Sequence, residues 1–305
     1  MILKGVGRLN EMQKPLAFVL SGGGARGAYQ VGALKALYEA GYKPDIWVGT
    51  SIGAVNAGYL AINGFTKESL DNLTNAWQEA GKAELLSSNH LFLTMRMLLN
   101  RSSWRKQNRF HDFFVAHGIQ EEIKFKDIKD TKLFLVSADL NLAETVIFGL
   151  DPEQSILEGV LASTAIPPWI HPIEKDGRFL IDGGLVSNLP VEPALTNGAK
   201  EIVALDLFDL RDIPSEPRGL GPFFYKVLNT AEKRQIDIEI ALAQSKGVRV
   251  HRISLVGDSP VAIWEFQRTV EMIPIGYQIT QAAIETWHEG KKAERFSLFS
   301  WLRRR

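Results

Sequence analysis

The pentapeptide Gly49-Thr50-Ser51-Ile52-Gly53 places a serine in a G-x-S-x-G pattern between a short apolar run and a helical pattern. In a tight strand-to-helix turn a serine exposes its hydroxyl, and the flanking glycines allow the close chain approach that the turn requires. Backbone N–H groups at the start of the next helix direct positive charge toward this point. The pattern predicts that Ser51 is a nucleophile with Gly49 and Gly53 as its elbow, although ordinary glycine-rich turns with a serine cap match it too.

A second glycine-rich sequence, Ser21 to Gly27 (SGGGARG), also follows an apolar run and precedes a helical pattern. Its backbone N–H groups are not hindered by Cβ atoms, so they are suited to stabilise the oxyanion of a tetrahedral intermediate. Removing one donor of this kind typically costs about 3 kcal/mol of activation barrier. We expect Arg26 to order the loop by hydrogen bonding to backbone carbonyls.

The same loop also satisfies the G-x-G-x-x-G pattern of dinucleotide sites, through Gly22, Gly24 and Gly27. A dinucleotide site needs an acidic residue at the end of the second strand, whereas Asp45 lies at that strand's beginning and the Ser51 turn occupies its end. A P-loop is excluded because no Gly-Lys-Ser/Thr follows. The sequence therefore predicts no nucleotide cofactor.

A third motif, Phe179 to Gly184 (FLIDGG), ends an apolar run with the carboxylate of Asp182, followed by Gly183 and Gly184. Aspartate before glycine is commonly only a turn former. A serine nucleophile, however, needs a base within hydrogen-bonding distance, and shelter from water raises the pKa of a carboxylate toward the working pH. Because the chain also contains the Ser51 motif and the glycine-rich loop, Asp182 is the candidate general base.

Short β-rich runs alternate with longer helical patterns, which predicts an α/β fold with a mostly parallel central sheet covered by helices. The predicted strands are Leu16–Leu20, Ile46–Val48, Leu133–Ala138, Phe179–Ile181, Ile202–Leu205 and Val248–Ile253. The predicted helices are Ala28–Ala40, a helix from Ile52, Ser155–Ser163, Val191–Thr196, Phe223–Ser245 and Pro260–Glu289. We expect the last helix to bend near Pro274 and to stop at Gly290.

With 305 residues and 45% hydrophobic content, the chain can bury a large core, and we expect one domain over 15–305 after an N-terminal extension, 1–14. The role of the C-terminal helices, 222–305, is left open by the sequence. The 35 basic and 35 acidic residues leave no global field to attract nucleic acid. The absence of cysteine excludes disulfides, a thiol nucleophile and Cys-ligated zinc.

The N-terminal residues lack the continuous apolar core and cleavage site of a secretory signal, so we expect a cytoplasmic protein that contacts a membrane only at its surface. From Leu85 to His111 the chain has no acidic residue, and five basic residues alternate with apolar ones: Arg96, Arg101, Arg105, Lys106 and Arg109. This segment, 85–110, is either a helical cap that packs on the sheet or a contact for anionic lipid headgroups. For the basic C-terminal tail a packed or frayed end is favoured.

Taken in this order, the motifs resemble those of the patatin-like phospholipase family, namely a G-G-G-x-R/K-G oxyanion loop, a G-x-S-x-G elbow and a D-G-G/A motif. All three are intact here, and Ala162–Pro168 and Asn188–Pro190 resemble further family landmarks, so the resemblance extends from Leu16 to Leu207. It implies a three-layer α/β/α fold and a lipid acyl hydrolase with a Ser-Asp dyad, without histidine or metal.

Carried over residue by residue, the resemblance makes Ser51 the nucleophile and Asp182 the base. It assigns the oxyanion hole to the N–H groups of Gly23, Gly24 and Ala25 or of their neighbours Gly22, Arg26 and Gly27. The motifs do not distinguish phospholipid, lysophospholipid, neutral glyceride and acyl-thioester substrates. The basic-apolar segment from Leu85 to Arg109 favours a lipid ester of phospholipid or lysophospholipid type, with peripheral contact at an anionic membrane surface. The sequence does not indicate an oligomeric state.

Two alternatives compete with this interpretation. His251 follows both Ser51 and Asp206, which gives the Ser…Asp…His chain order of α/β-hydrolases. We favour the dyad because that fold requires neither the D-G-G turn nor a triple-glycine loop before the elbow. The second alternative is a regulator on the same fold that binds lipid or a partner without turnover, and the intact motifs argue against it.

Overall fold

The computed structural model describes residues 12–83, 104–167, 169–212 and 220–302. The strands are β1 (Leu16–Leu20), β2 (Ile46–Thr50), β3 (Lys132–Asp139), β4 (Glu144–Phe148), β5 (Ile173–Lys175), β6 (Arg178–Asp182), β7 (Glu201–Asp206) and β8 (Arg249–Ser254). The helices are α1 (Gly27–Glu39), α2 (Ile52–Asn63), α3 (Lys67–Lys82), α4 (Trp104–Ala116), α5 (Ile156–Ser163), α6 (Val191–Thr196), α7 (Leu220–Ser245) and α8 (Thr269–Leu302).

The described strands form one sheet in the order β5-β6-β3-β2-β1-β7-β8, with β4 also paired to β3. Strands β3, β2, β1, β7 and β8 run parallel, and the antiparallel pairs β3–β4, β3–β6 and β5–β6 complete one side. The fold is therefore α/β with a mostly parallel central sheet, as the alternation of runs predicts.

Side chains of the buried strand β1 alternate between two separate cores. Leu16, Phe18 and Leu20 contribute to a core formed with α1, α2, α3, α4, α5 and α8. Ala17 and Val19 point the other way and pack with α6 and α7. Because successive strand residues face opposite sides of a sheet, this pattern produces three layers, with helices on both faces.

The parallel register brings the carboxyl ends of the central strands to one edge of the sheet. Leu20 of β1 lies beside Gly49 of β2 and Leu205 of β7, and Thr50 lies beside Val136 of β3. Ligand sites in open α/β sheets lie at this edge. The Ser51 turn and the glycine loop both begin there.

The predicted strands and most of the helices agree with the structure to within three residues at each end. The short antiparallel strands β4 and β5 and the helix α3 were not predicted from the sequence. Strand β5 has only three residues, so it has no readable alternation. Helix α3 is amphipathic and begins at a Thr66 cap that accepts the N–H of Ser69, so its signal was present in the sequence.

The prediction for the last helix was wrong at both ends. Residues 260–265 are not helical, because the Ile263 carbonyl accepts the N–H of Ala25 and the Ala262 N–H donates to the Glu265 carboxylate. Helix α8 begins at Thr269 and continues past Gly290 to Leu302. A glycine inside a helix costs only about 1 kcal/mol relative to alanine, and good helix formers follow it here.

The C-terminal helices cover both faces of the sheet. Helix α7 packs on α6 and β8. Helix α8 packs along α1, which is the helix that follows the glycine loop. Of the segment 85–110, residues 85–103 lie outside the described residues, and the rest belongs to α4. Among the described helices, none has the length and apolar content needed to cross a bilayer.

Candidate active site

Ser51 occupies the sharp turn between β2 and α2 with φ of 53° and ψ of −124°. A positive φ at a residue that is not glycine is strained by about 1–3 kcal/mol and recurs at functional sites. A Cβ atom at Gly49 would lie 2.5 Å from the Gly53 carbonyl oxygen, and one at Gly53 would lie 2.2 Å from the Leu20 carbonyl oxygen. Both flanking glycines are therefore required by close backbone contact.

Ser163 at the end of α5 stabilises the strained turn through hydrogen bonds. Its Oγ atom accepts the backbone N–H of Ser51 at 2.8 Å and donates to the Val136 carbonyl at 2.5 Å. The Ser163 side chain is completely buried. No sequence pattern predicts a role for this hydroxyl, although Ser163 lies in a segment that resembles a family landmark.

Asp182 ends β6 beside Ser137 of β3, and its carboxylate meets Ser51. The Ser51 hydroxyl donates to Oδ2 of Asp182 at 2.5 Å, and the Gly184 N–H donates to Oδ1 at 2.8 Å. The Thr50 hydroxyl donates to the Ser187 carbonyl at 2.8 Å, which ties the elbow to the loop after Asp182. The structure thus brings together two predicted residues that are 131 positions apart.

The electrostatics of Asp182 suit a general base. Burial raises the pKa of this carboxyl from its ordinary value of 3.8 to about 6, and the hydrogen bonds from Ser51 and Gly184 oppose the rise. Asp182 is only 7% exposed. At neutral pH the group is ionised, and its proton affinity is close enough to the working pH for proton transfer from a serine.

In the glycine loop, most of the N–H groups are already used within the protein. Those of Gly22, Ala25 and Arg26 donate to the carbonyls of Asn188, Ile263 and Gly23, respectively. The Gly27 N–H lies in the first helical turn and bonds to loop carbonyls. Within the described part of the chain, Gly23 and Gly24 are the loop residues whose N–H groups have no protein acceptor.

Of the six residues predicted for the oxyanion hole, four have N–H groups that are occupied within the protein. Gly23 and Gly24 remain as candidate donors, and both line the same cavity as Ser51 and Asp182. Arg26 has the structural role that was expected of it, since its Nε–H donates to the Gly23 carbonyl at 3.3 Å.

Beneath the loop lies a chain of buried polar side chains. The Gln30 amide donates to the Ser21 carbonyl at 2.9 Å, the Asn56 amide donates to Oε1 of Gln30 at 3.0 Å, and the Trp77 indole donates to Oδ1 of Asn56 at 2.9 Å. Buried polar groups that satisfy one another fix a single geometry. The network links α1, α2 and α3 to the start of the glycine loop, and sequence patterns did not reveal it.

Two cavities meet at Ser51. The first is almost wholly apolar, has a volume of about 80 Å³ and is lined mainly by side chains of α2, α3 and α4, among them Val55, Leu73, Trp77, Phe110 and Phe114. The second, of about 270 Å³, contains Asp182 and the glycine loop and has polar groups in its wall: Arg26, Asn188, Asn229, Glu232 and Gln235. Ser51 and Gly24 line both cavities.

The geometry does not support the histidine alternative. His251 Nε2 lies 2.6 Å from Oε1 of Glu201, at the start of β7, and Asp206 is bound by the Arg252 guanidinium. The strand register places His251 three strands from β2 and level with a residue four positions before Ser51. From strand spacings, His251 is about 14 Å across the sheet and about 13 Å along it from the serine.

Comparisons with known proteins agree with the motifs. A family profile described as "Patatin-like phospholipase" matches residues 18–195, which include all three motifs. The mouse "Patatin-like phospholipase domain-containing protein 6" is 27% identical over 304 residues, covering 92% of this chain and 21% of the mouse protein. "Lysophospholipase NTE1" of Cryptococcus neoformans is 24% identical, covering 91% of this chain and 17% of that protein.

The chain therefore spans about a fifth of the length of the mouse relative. A bacterial relative of more similar size, "Uncharacterized protein YqhO" of Bacillus subtilis, is 29% identical over 194 residues, covering 57% of this chain and 64% of that protein. Among solved structures, VipD from Legionella pneumophila is 15% identical with a TM-score of 0.47, covering 90% of this chain and 67% of VipD.

Proposed function

The chain belongs to the patatin-like phospholipase family, and we propose that it hydrolyses fatty acyl esters of lipids through an acyl-enzyme formed on Ser51. The family match and the relative named as a lysophospholipase support a lipid hydrolase. The observation that carries the mechanism is the 2.5 Å contact between Oγ of Ser51 and Oδ2 of Asp182 at the junction of two cavities.

In the first half of the reaction, Asp182 takes the hydroxyl proton as Oγ of Ser51 bonds to the carbonyl carbon of the ester. The carbonyl oxygen becomes an oxyanion, which the N–H groups of Gly23 and Gly24 stabilise. Collapse of the tetrahedral intermediate breaks the bond to the leaving alcohol, and that alcohol takes the proton from Asp182. The acyl group stays on Ser51.

In the second half, Asp182 takes a proton from water as the water oxygen bonds to the acyl carbon. The same N–H groups stabilise the second tetrahedral intermediate. The bond to Oγ then breaks, Asp182 returns the proton to Ser51, and the fatty acid leaves. No histidine is required, because one carboxylate with a raised pKa serves as base and then as acid in each half.

The two cavities support separate binding places for the acyl chain and the leaving alcohol of the substrate. The apolar cavity is suited to an acyl chain, since its wall offers almost no hydrogen-bonding group. The second cavity is suited to the leaving alcohol and has charged and amide side chains to contact a polar one: Arg26, Asn188, Glu232 and Gln235. We therefore propose a phospholipid or lysophospholipid in preference to a triacylglycerol.

A fluorophosphonate probe that becomes covalently bound to the nucleophilic serine tests the core of the proposal. We expect labelling of the wild-type chain, none of Ser51→Ala, and normal labelling of Ser69→Ala, a buried serine of α3 away from the site. Labelling that persists in Ser51→Ala would refute the assignment. Absence of any labelling would favour a regulator without turnover.

Rates on lysophosphatidylcholine, phosphatidylcholine and trioleoylglycerol test the substrate class. The proposal predicts that the two phospholipids are cleaved at least tenfold faster than the triacylglycerol at equal molar concentration in mixed micelles. Faster cleavage of the triacylglycerol would show that the polar wall of the second cavity does not select the leaving group.

A further inference from the structure

Large apolar side chains are exposed in the wall of the second cavity and on elements that adjoin it. Six of them, which we call the apolar rim, are between 44% and 53% exposed: Leu140, Leu142, Phe179, Leu185, Phe223 and Leu228. They come from four separate parts of the chain, namely the β3–β4 turn, β6, the loop after Asp182, and the first turns of α7. Apolar side chains gathered in this way mark a surface that contacts another apolar phase.

Three side chains of the apolar rim, Leu140, Leu142 and Phe179, lie beyond the edge of the sheet at which the Ser51 turn begins. Val136 of β3 pairs with Thr50, the residue before Ser51, and β3 continues for three residues to Asp139. At strand spacing this extension is about 10 Å. Leu140 and Leu142 occupy the turn at its tip, and the Leu140 N–H donates to the Phe179 carbonyl at 2.9 Å.

Two of the other three side chains of the apolar rim belong to the wall of the second cavity. Leu185 and Leu228 line this cavity together with Ser51 and Asp182. Phe223, on the same helix as Leu228, lines a neighbouring groove that shares Ala231 with the second cavity. A molecule in the second cavity therefore contacts exposed apolar side chains as well as Ser51 and Asp182.

We propose that the apolar rim docks the protein onto a lipid surface, so that a substrate molecule passes from that surface directly into the cavity. This inference rests on the proposed function, because it assumes that the substrate is a lipid. A protein partner bound to the apolar rim would close the cavity mouth. A lipid surface covers the same side chains and also supplies the ester.

The charges beside the apolar rim make apolar insertion the main source of binding. On the β5–β6 hairpin, Lys175 and Arg178 stand beside Glu174 and Asp176, so this hairpin has no net charge. Leucine and phenylalanine side chains of an otherwise polar surface enter the region between headgroups and acyl chains. We therefore expect docking to survive 0.5 M NaCl, which weakens attraction between exposed charges.

Co-sedimentation with phosphatidylcholine vesicles tests the inference on the Ser51→Ala protein, in which turnover cannot change the vesicles. The rim variant adds Leu140→Ser and Leu142→Ser. The matched control adds Leu150→Ser and Ile238→Ser, which are 62% and 51% exposed and do not belong to the rim. Because β4 runs antiparallel to β3, Leu150 lies near the opposite edge of the sheet. We expect at least tenfold weaker binding for the rim variant and no change for the control.

Equal binding of the rim variant and the Ser51→Ala parent, equal loss in both variants, or release of the parent by 0.5 M NaCl would each overturn the inference. Leu142→Trp gives a second measurement, with a blue shift of tryptophan emission expected on vesicle addition and none expected for Leu150→Trp. Failure of the proposed function is distinguishable, because wild-type hydrolysis of water-soluble p-nitrophenyl butyrate requires no vesicle. With Ser51 restored, the rim variant should cleave this ester at the wild-type rate.

Discussion

The backbone N–H of Ser51 donates to Oγ of Ser163 at 2.8 Å, across 112 residues of sequence. The Ser163 hydroxyl donates in turn to the Val136 carbonyl, so one side chain connects the elbow, α5 and β3. A strained turn keeps its conformation only when its surroundings fix it. We therefore infer that Ser163 positions the proposed nucleophile without touching the substrate.

We predict that Ser163→Ala lowers kcat at least tenfold and leaves KM within twofold. The substitution leaves the Ser51 N–H without its partner, which costs about 1–3 kcal/mol, and a tenfold rate change corresponds to about 1.4 kcal/mol. Ser163→Thr keeps the hydroxyl and should retain more activity than the alanine variant. Steady-state kinetics on p-nitrophenyl butyrate measures both parameters.

Ser69→Ala is the matched control for Ser163→Ala. Ser69 is also buried, and its hydroxyl donates to the Asn63 carbonyl at 2.9 Å, on α3 away from Ser51. It should lower the melting temperature without lowering kcat. If Ser163→Ala changed only the melting temperature, the positioning role would be wrong.

Much of the site could be predicted from the sequence because its signals are local. The elbow around Ser51 and the turn after Asp182 are each fixed by glycines within three residues, so short patterns reveal them. The Ser163 hydroxyl and the Ile263 carbonyl act on residues more than 100 positions away. No periodicity or turn rule reports such contacts, since they arise only when the sheet and its helices assemble.

The same reason explains why the sequence could not narrow the six predicted oxyanion-hole residues to Gly23 and Gly24. A glycine-rich sequence shows which N–H groups are sterically accessible, but it does not show which ones other parts of the chain occupy. Ala25 could not be separated from Gly24 without the loop at Ile263. The helix extending past Gly290 shows a different limit, because a stop signal worth about 1 kcal/mol is overridden by good helix formers on both sides.

The raised pKa of Asp182 predicts an acidic limb in the pH dependence of activity. The base must be ionised to take the Ser51 proton, so kcat/KM should follow a single ionisation near pH 6 and fall about tenfold between pH 7 and pH 5. Burial is the cause of the shift. Initial rates on a substrate without ionisable groups measure it, and a limb near pH 4 would mean that Asp182 is solvated during catalysis.

The same shift predicts how stability depends on pH. A carboxyl whose pKa is raised in the folded state contributes stability that is fully present below about pH 3.8 and is lost as pH rises through about 6. The shift corresponds to about 3 kcal/mol. The free energy of unfolding of Asp182→Asn should therefore increase relative to the wild type between pH 4 and pH 7, and urea titrations at both pH values measure the difference.

A constant difference in the free energy of unfolding between Asp182→Asn and the wild type at pH 4 and pH 7 would contradict the raised pKa that burial gives this carboxyl. Because Asp182→Asn cannot take a proton from Ser51, it should also lose nearly all hydrolase activity. If Asp182→Asn is more stable than the wild type at pH 7 and inactive at every pH, the Asp182 carboxylate lowers the stability of the folded protein and is required for activity.

Gly24→Ala should abolish most of the activity. Gly24 has φ of 56°, and a Cβ atom there would lie 2.3 Å from the Ile263 carbonyl oxygen, so the loop must move. Displacing one oxyanion donor typically lowers kcat by about 10²–10³. Gly41→Ala is the matched control, because Gly41 also has a positive φ, of 82°, but its Cβ would meet nothing within 4 Å.

Single-turnover acylation rates separate the two glycine variants. Gly41→Ala should lose about 1–2 kcal/mol of stability from backbone strain and keep its acylation rate. Equal acylation rates in the wild type and Gly24→Ala would exclude the glycine loop as the oxyanion hole.

Filling the apolar cavity should change the preferred acyl chain length. Val55 lies one turn after Ser51 on α2 and lines this cavity. Val55→Phe adds bulk in the wall next to the nucleophile, so a long acyl chain loses its path while a short one still fits. We expect the ratio of kcat/KM for p-nitrophenyl palmitate to that for p-nitrophenyl butyrate to fall at least tenfold. A parallel loss on both esters would mean that the acyl chain does not enter this cavity.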